Sequence, residues 1–144
     1  MKKIGLIFVC MMLVIISSCS SLSKEPPNAQ VTMQHKKVET RKGGYEWSYW
    51  LISHTYTTAD ASSQWTENLR TQSVEPGQKA MVSFSDHSQP KFSAHIYNHY
   101  RKGTVLPVKK NQITLPTKPG TYVIRIQAHW QPGKSDYAFS VKVH

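Results

Sequence analysis

Cysteine and acid are both in short supply. Only 2 cysteines, Cys10 and Cys19, occur in 144 residues. Four would be the minimum for a ribbon-type zinc site, and two cannot build a disulfide-dense scaffold. Asp and Glu number 8 against 18 Lys and Arg, for a formal net charge of +10. Only Glu46 and Asp60 lie near aromatic residues in the sequence, so nothing nominates a glycosidase-type carboxylate pair. Seven Gly and 8 Pro exclude collagen-like and low-complexity chains. The longest apolar run, Ile4 to Ile16, is 13 residues, short of the roughly 18 that a transmembrane helix requires. What is left is ordinary: 39% hydrophobic, 18% charged, and long enough for one domain.

The amino terminus carries the most specific signal. Met1-Lys2-Lys3 precedes the apolar run, and Ser17-Ser18-Cys19 follows it. A basic start, an apolar stretch of about 7–15 residues and then small residues make a secretory signal. Ile16-Ser17-Ser18-Cys19 resembles the lipobox of bacterial lipoproteins: an aliphatic residue, two small ones, then the modified cysteine. The resemblance implies that residues 1–18 are removed as a signal peptide. It also implies that Cys19 receives a diacylglycerol on sulfur and often a further acyl chain on its new amino group, a palmitate-type modification. Burial is worth about 0.8 kcal/mol per methylene, so one chain holds a protein marginally and two or three hold it effectively permanently. Cys10 would leave with the signal and Cys19 would be acylated. The mature domain would then have no thiol for nucleophilic catalysis, disulfide exchange or metal ligation. The expected location is the extracytoplasmic face of a cell membrane, with the lipid as anchor.

Beyond the cysteine, Ser20 to Gln30 has no apolar period, and Pro26-Pro27 forbids a continuous helix. The expected organisation is a signal peptide over 1–18, a flexible tether over 19–41 and a folded domain over 42–144. Val31 to Thr40 reads equally as a first edge strand or as more tether. The folded part alternates. Tyr122, Ile124, Ile126, Ala128 and Trp130 share one parity, and so do Tyr137, Phe139, Val141 and Val143. Period two marks half-buried strands, and Gln131 to Asp136 between them has hairpin composition. Shorter alternations occur at Ala80–Phe84 and Phe92–Ile96, a short strand at Ile113–Leu115, and a shared face at Tyr45, Trp47 and Tyr49. Ala59 to Leu69 lacks an apolar stripe and reads as a long loop. Strands every 8–15 residues with Pro/Gly turns predict an all-β antiparallel sandwich.

Gly44-Tyr45-Glu46-Trp47, Pro76-Gly77, and Pro119-Gly120-Thr121-Tyr122 through Ala128-His129-Trp130 resemble small Gram-positive surface lipoproteins of unassigned role. The stretch Tyr137-Ala138-Phe139-Ser140-Val141 looks like the last strand pair of immunoglobulin-like sandwiches. The resemblance implies a single immunoglobulin-like domain and a surface location, and imports no activity. The segment Leu51–Thr71 departs from it most.

Candidate sites are weak by comparison. His95 and His99 stand at i, i+4, a metal-binding spacing on a helix. On a strand the same spacing spans about 13 Å, too far for one ion, and the alternation says strand. Asp86-His87-Ser88 is a loop triplet without a nucleophile elbow. The basic pairs Lys36-Lys37, Arg41-Lys42, Arg101-Lys102 and Lys109-Lys110 sit at segment ends, where solvated charge is normal. Losing Lys2 and Lys3 takes the formal +10 to +8. Outside the membrane the available polyanions are lipid headgroups and phosphate-bearing wall polymers, and no nucleic acid is expected. Trp50 and Trp65 fall off the inward parity and are the candidates for stacking on sugars or anchoring a protein.

The sequence therefore predicts a lipid-anchored extracytoplasmic module that binds or supports, with no enzyme activity, cofactor or metal. Its candidate partners are the membrane through acylated Cys19, an anionic wall polymer and a surface protein. The alternative is an inhibitor or modulator of a cell-surface peptidase or sensor, presenting a protruding loop at Thr55–Leu69 or Asp86–Pro90.

Overall fold

The computed structural model describes residues 23–49, 51–56, 65–97 and 103–144. In chain order the described strands are β1 (Ala29–Met33), β2 (Lys36–Val38), β3 (Arg41–Tyr49) and β4 (Ile52–Tyr56). Next come β5 (Thr71–Val74), β6 (Lys79–Phe84), β7 (Lys91–Ile96) and β8 (Val105–Leu106). β9 (Val108–Lys109), β10 (Gln112–Thr114), β11 (Gly120–His129) and β12 (Gly133–Val143) complete the set. No α-helix occurs among the described residues. Two sheets pack face to face: β2-β1-β6-β10-β9, and β4-β3-β12-β11-β7-β8. This is an all-β sandwich.

Burial of alternate side chains drives the packing. Val31, Ala80, Val82, Phe84 and Ile113 from the first sheet meet Ala94, Ile124, Ile126, Phe139 and Val141 from the second, all in one core. A fully buried Ile or Val contributes roughly 1.5–3 kcal/mol. β11 and β12 pair along their whole length, Gly120 against Val143 through His129 against Lys134. Reciprocal bonds between the backbones of Trp130 and Gly133 close the hairpin. β12 thus begins at Gly133, four residues earlier than the apolar alternation at Tyr137 suggests. Gly133 has a steric reason to be glycine, because a Cβ there would lie 2.0 Å from the carbonyl oxygen of Glu46 on β3.

One long edge of β12 serves two partners in turn. Its first half pairs antiparallel with β3. Its second half pairs with β5, Ser140 beside Thr71 to Val143 beside Val74, and this pairing is parallel. The sheet is therefore antiparallel with one parallel exception. Tyr122, near the start of β11, donates its hydroxyl to the carbonyl of Lys118 four residues upstream, 3.0 Å away.

The expected tether over 19–41 needs correction where it is described. β1 lies between β2 and β6, is no edge strand, and buries Val31 completely. The sandwich therefore starts at Ala29 rather than Lys42. Residues before it are gripped as well. Trp47 Nε1 donates to the Ser23 carbonyl at 2.9 Å and Lys42 Nζ to the Pro26 carbonyl at 2.6 Å. The Tyr137 hydroxyl donates to the Pro27 carbonyl. Two prolines lack N–H donors but keep their carbonyls, and those are what the sandwich holds. Leu51–Thr71 also contains order: β4 is an exposed strand paired with β3.

Trp130 is half-buried against the core rather than enclosed by it. It meets Phe84 edge-to-face at 5.0 Å and Trp47 at 5.5 Å, and its indole N–H donates to Ser88 Oγ at 2.8 Å. Phe84 in turn meets Tyr137 at 5.9 Å, so aromatic rings seal this end of the core.

Candidate functional site

The outer face of the second sheet, away from the core, carries a cleft of about 370 Å³. Alternation explains its floor. Ile124, Ile126 and Ala128 of β11 point into the core, so Arg125, Gln127 and His129 point out. Register then sets their neighbours: Gln127 opposite Asp136, and His129 opposite Lys134, which faces Glu46 on β3. The register between β12 and β3 shifts between Ser135 and Tyr137. The irregularity falls where β3 runs Gly43-Gly44, residues that add no side-chain bulk to the floor.

The wall is aromatic. Trp65 and Tyr97 both line the cleft and meet edge-to-face with ring centroids 5.8 Å apart. The indole sits on Gly43, where a Cβ would come within 2.8 Å of the ring. Arg41 ties the segment down, its guanidinium donating to the carbonyls of Trp65 at 3.3 Å and Glu67 at 2.7 Å.

The charges on the floor are spent on one another. Arg125 Nη2 reaches Asp136 Oδ2 at 2.6 Å, and Lys134 Nζ reaches Glu46 Oε1 at 3.2 Å. Both pairs keep solvent contact, so each contributes at most about 1 kcal/mol to stability. Arg125 Nε is shielded without a hydrogen-bond partner. The short bond to Asp136 offsets part of that desolvation. The cleft thus presents donors and acceptors side by side with little net charge.

The candidates read from sequence fare unevenly. Cys19, the lipidation candidate, lies outside the described residues, as do Trp50, Asp60, His99, Arg101 and Lys102. His95 is on a strand, opposite Arg125, as its alternation requires. No group of three or more His, Cys, Asp or Glu able to hold a metal occurs among the described residues. Asp86-His87-Ser88 is a structural turn: Asp86 Oδ1 accepts from both the backbone N–H and the hydroxyl of Ser88. That hydroxyl also accepts from Trp130. Glu46 belongs to the cleft. Trp65 belongs there too, packed on Gly43 of β3.

The charge pairs near the amino terminus separate. Lys36 and Lys37 are exposed on β2. Arg41 is committed to Trp65, Glu67 and Glu39. Lys42 is committed to Pro26, and burial lowers its ammonium below the ordinary lysine range, with Glu25 partly offsetting. Arg41 and Lys42 are therefore not free cations for a membrane or polymer.

Sequence reading missed Asp136 and Gln127 as site residues. The polar composition of Gln131 to Asp136 reads as a turn, and Gln127 reads only as an outward position. The available signal was the strict alternation of β11, which puts three polar side chains on one face. No protein family, curated protein or solved structure matches this chain.

Proposed function

We propose that the chain is a lipid-anchored extracytoplasmic binding module that engages its ligand through the outer-face cleft. The cleft carries this reading: polar side chains from β3, β11 and β12, arranged beside an aromatic wall, are what a recognition surface requires. The anchor rests on Ile16-Ser17-Ser18-Cys19 behind its apolar run. Cys19 lies four positions before Ser23, about 14 Å of chain at full extension. Because Ser23 is already held by Trp47, an anchor at Cys19 keeps the sandwich close to the bilayer.

An immunoglobulin-like lineage is part of the proposal. The order β1-β6-β10-β9 corresponds to strands A-B-E-D of that fold, and β7-β11-β12 to C-F-G. The Tyr122 hydroxyl bonded back to Lys118 has the form of its tyrosine corner. On this reading β3 and β4 are additions beyond strand G, and they supply one side of the cleft. The fold's inter-sheet cysteines have no counterpart here, since β6 and β11 contain none.

Inhibition of a surface peptidase draws no support from the second of its two loops, Asp86–Pro90; of the first, Thr55–Leu69, residues 57–64 lie outside the described residues. The six residues between β6 and β7 are folded back through Ser88 onto Trp130 rather than projecting. The test is photo-crosslinking on intact cells, with a photoreactive residue replacing Gln127 in the cleft or Met81 on the opposite sheet. Envelope material captured at 127 and not at 81 supports the reading. Equal capture at both positions, or none, contradicts it.

A further inference from the structure

We propose that the cleft takes a short stretch of neutral saccharide, a ligand class chosen by its charge pairing, its aromatic wall and its interior strands. The proposal rests on the binding-module reading and specifies it.

Charge comes first. Each cation of the floor has a carboxylate partner, Asp136 at 2.6 Å from Arg125 and Glu46 at 3.2 Å from Lys134. A phosphate or carboxylate arriving at either cation would meet that anion too, and would have to displace it. A neutral hydroxyl displaces nothing. Each sugar hydroxyl both donates and accepts, so adjacent hydroxyls can accept a hydrogen bond from guanidinium and donate one to carboxylate in the same plane. The Gln127 amide adds one more acceptor and two donors beside them.

The wall supplies the other half of sugar chemistry. A pyranose ring is polar at its rim and apolar across its C–H face, which packs against an aromatic surface. Trp65 and Tyr97, in edge-to-face contact at the cleft, place such a surface beside the polar floor.

Topology weighs against the main competitor, an extended peptide. Peptides add to sheets by pairing with an open strand edge. The floor is formed by β3, β12 and β11, each of which has a bonded neighbour on both sides. Only side chains are on offer there. A volume of about 370 Å³ is at the small-ligand end of the usual range.

The test uses the full-length chain in a zwitterionic detergent without a sugar headgroup. Cellotetraose and the N-acetylglucosamine tetramer are titrated in, followed by tryptophan fluorescence and calorimetry. Tetra-alanine and glycerol phosphate serve as contrasts. The proposal predicts saturable saccharide binding with a Kd of about 1 mM or tighter, unchanged in 0.5 M salt. It also predicts about tenfold weaker binding in Gln127→Ala, whose side chain lies outside the core, and in Trp65→Ala. Absence of saccharide binding, or binding equal in both variants and the parent, overturns the proposal. Saturable binding of tetra-alanine or glycerol phosphate alone, lost in Gln127→Ala, overturns the ligand class and leaves the binding-module reading standing. No response to any probe, together with no crosslinking at position 127, removes both.

Discussion

Trp65 rests on Gly43 so closely that a single added Cβ would lie 2.8 Å from its ring. The contact joins a loop to β3 across the outer face of the sheet and holds the aromatic wall of the cleft. Glycine is needed for space here, not for an unusual backbone. Gly43→Ala must displace the indole, an overpacking cost of about 1–3 kcal/mol. Chemical denaturation should show that loss, and tryptophan emission should shift to the red as Trp65 becomes wetter. An unchanged spectrum and stability would mean that the contact holds nothing.

The turn between β1 and β2 is under strain that can be removed. Gln34 and His35 have φ of 46° and 64°, both in the left-handed region, and they close a two-residue hairpin between Met33 and Lys36. Such a loop has the form of a type I′ turn, which favours Asn-Gly. The double change Gln34→Asn, His35→Gly should stabilise the protein by about 1–2 kcal/mol, read as a higher midpoint in urea at unchanged slope. A lower midpoint would show that these side chains do something beyond turning the chain.

Tyr137 gives the sandwich an alkaline limit. Burial pushes its phenol up to about 12 from the ordinary 10. A raised pKa means that folding disfavours the phenolate. The stabilisation is complete below pH 10, the unfolded value, and is lost as pH climbs through 12. Two pH units correspond to about 2–3 kcal/mol. Lys42 acts in the opposite sense: its lowered pKa lets stability rise with pH toward 10.5, which blunts the early part of the loss. Tyr137→Phe removes the hydroxyl bonded to Pro27 and should cost about 1 kcal/mol at pH 7. Above pH 11 it should be as stable as the parent or more so. Parallel pH profiles of the two proteins would contradict this assignment.

The grip on Ser23, Pro26 and Pro27 can be tested from the other side. Trp47→Phe keeps a ring against Trp130 but removes the donor to Ser23. Cleavage by a low dose of protease after Lys24 should then run at least several-fold faster, beyond what the loss of global stability from the smaller ring, read from the same protein's unfolding, accounts for. Equal cleavage rates would place the hold elsewhere.

Much of the sandwich was legible because its central strands obey period two. Ile124, Ile126 and Ala128 alternate with Arg125 and Gln127, and Phe139 and Val141 alternate with Ser140 and Lys142. What escaped has physical reasons. β4 reads Ile-Ser-His-Thr-Tyr and is exposed along its whole length, so no buried face marks it. β5 has four residues and a parallel partner near the far end of the chain, a pairing that no local pattern encodes. Ser23 to Pro27 looked flexible because a helix was impossible there; three donors from β3 and β12 order it instead. The cleft was invisible for a similar reason. Gln127, Asp136 and Trp65 are ordinary outward or loop positions, and only the register of β11 and β12 and the Gly43 contact bring them together.

Attachment through Cys19 is the central claim, and one measurement addresses it directly. Cells expressing the parent chain and Cys19→Ala are fed radiolabelled palmitate, lysed and separated into membrane and soluble fractions. The parent should carry label and sediment with the membrane, and Cys19→Ala should carry none and leave it. Label and membrane retention that persist unchanged in Cys19→Ala would contradict the account.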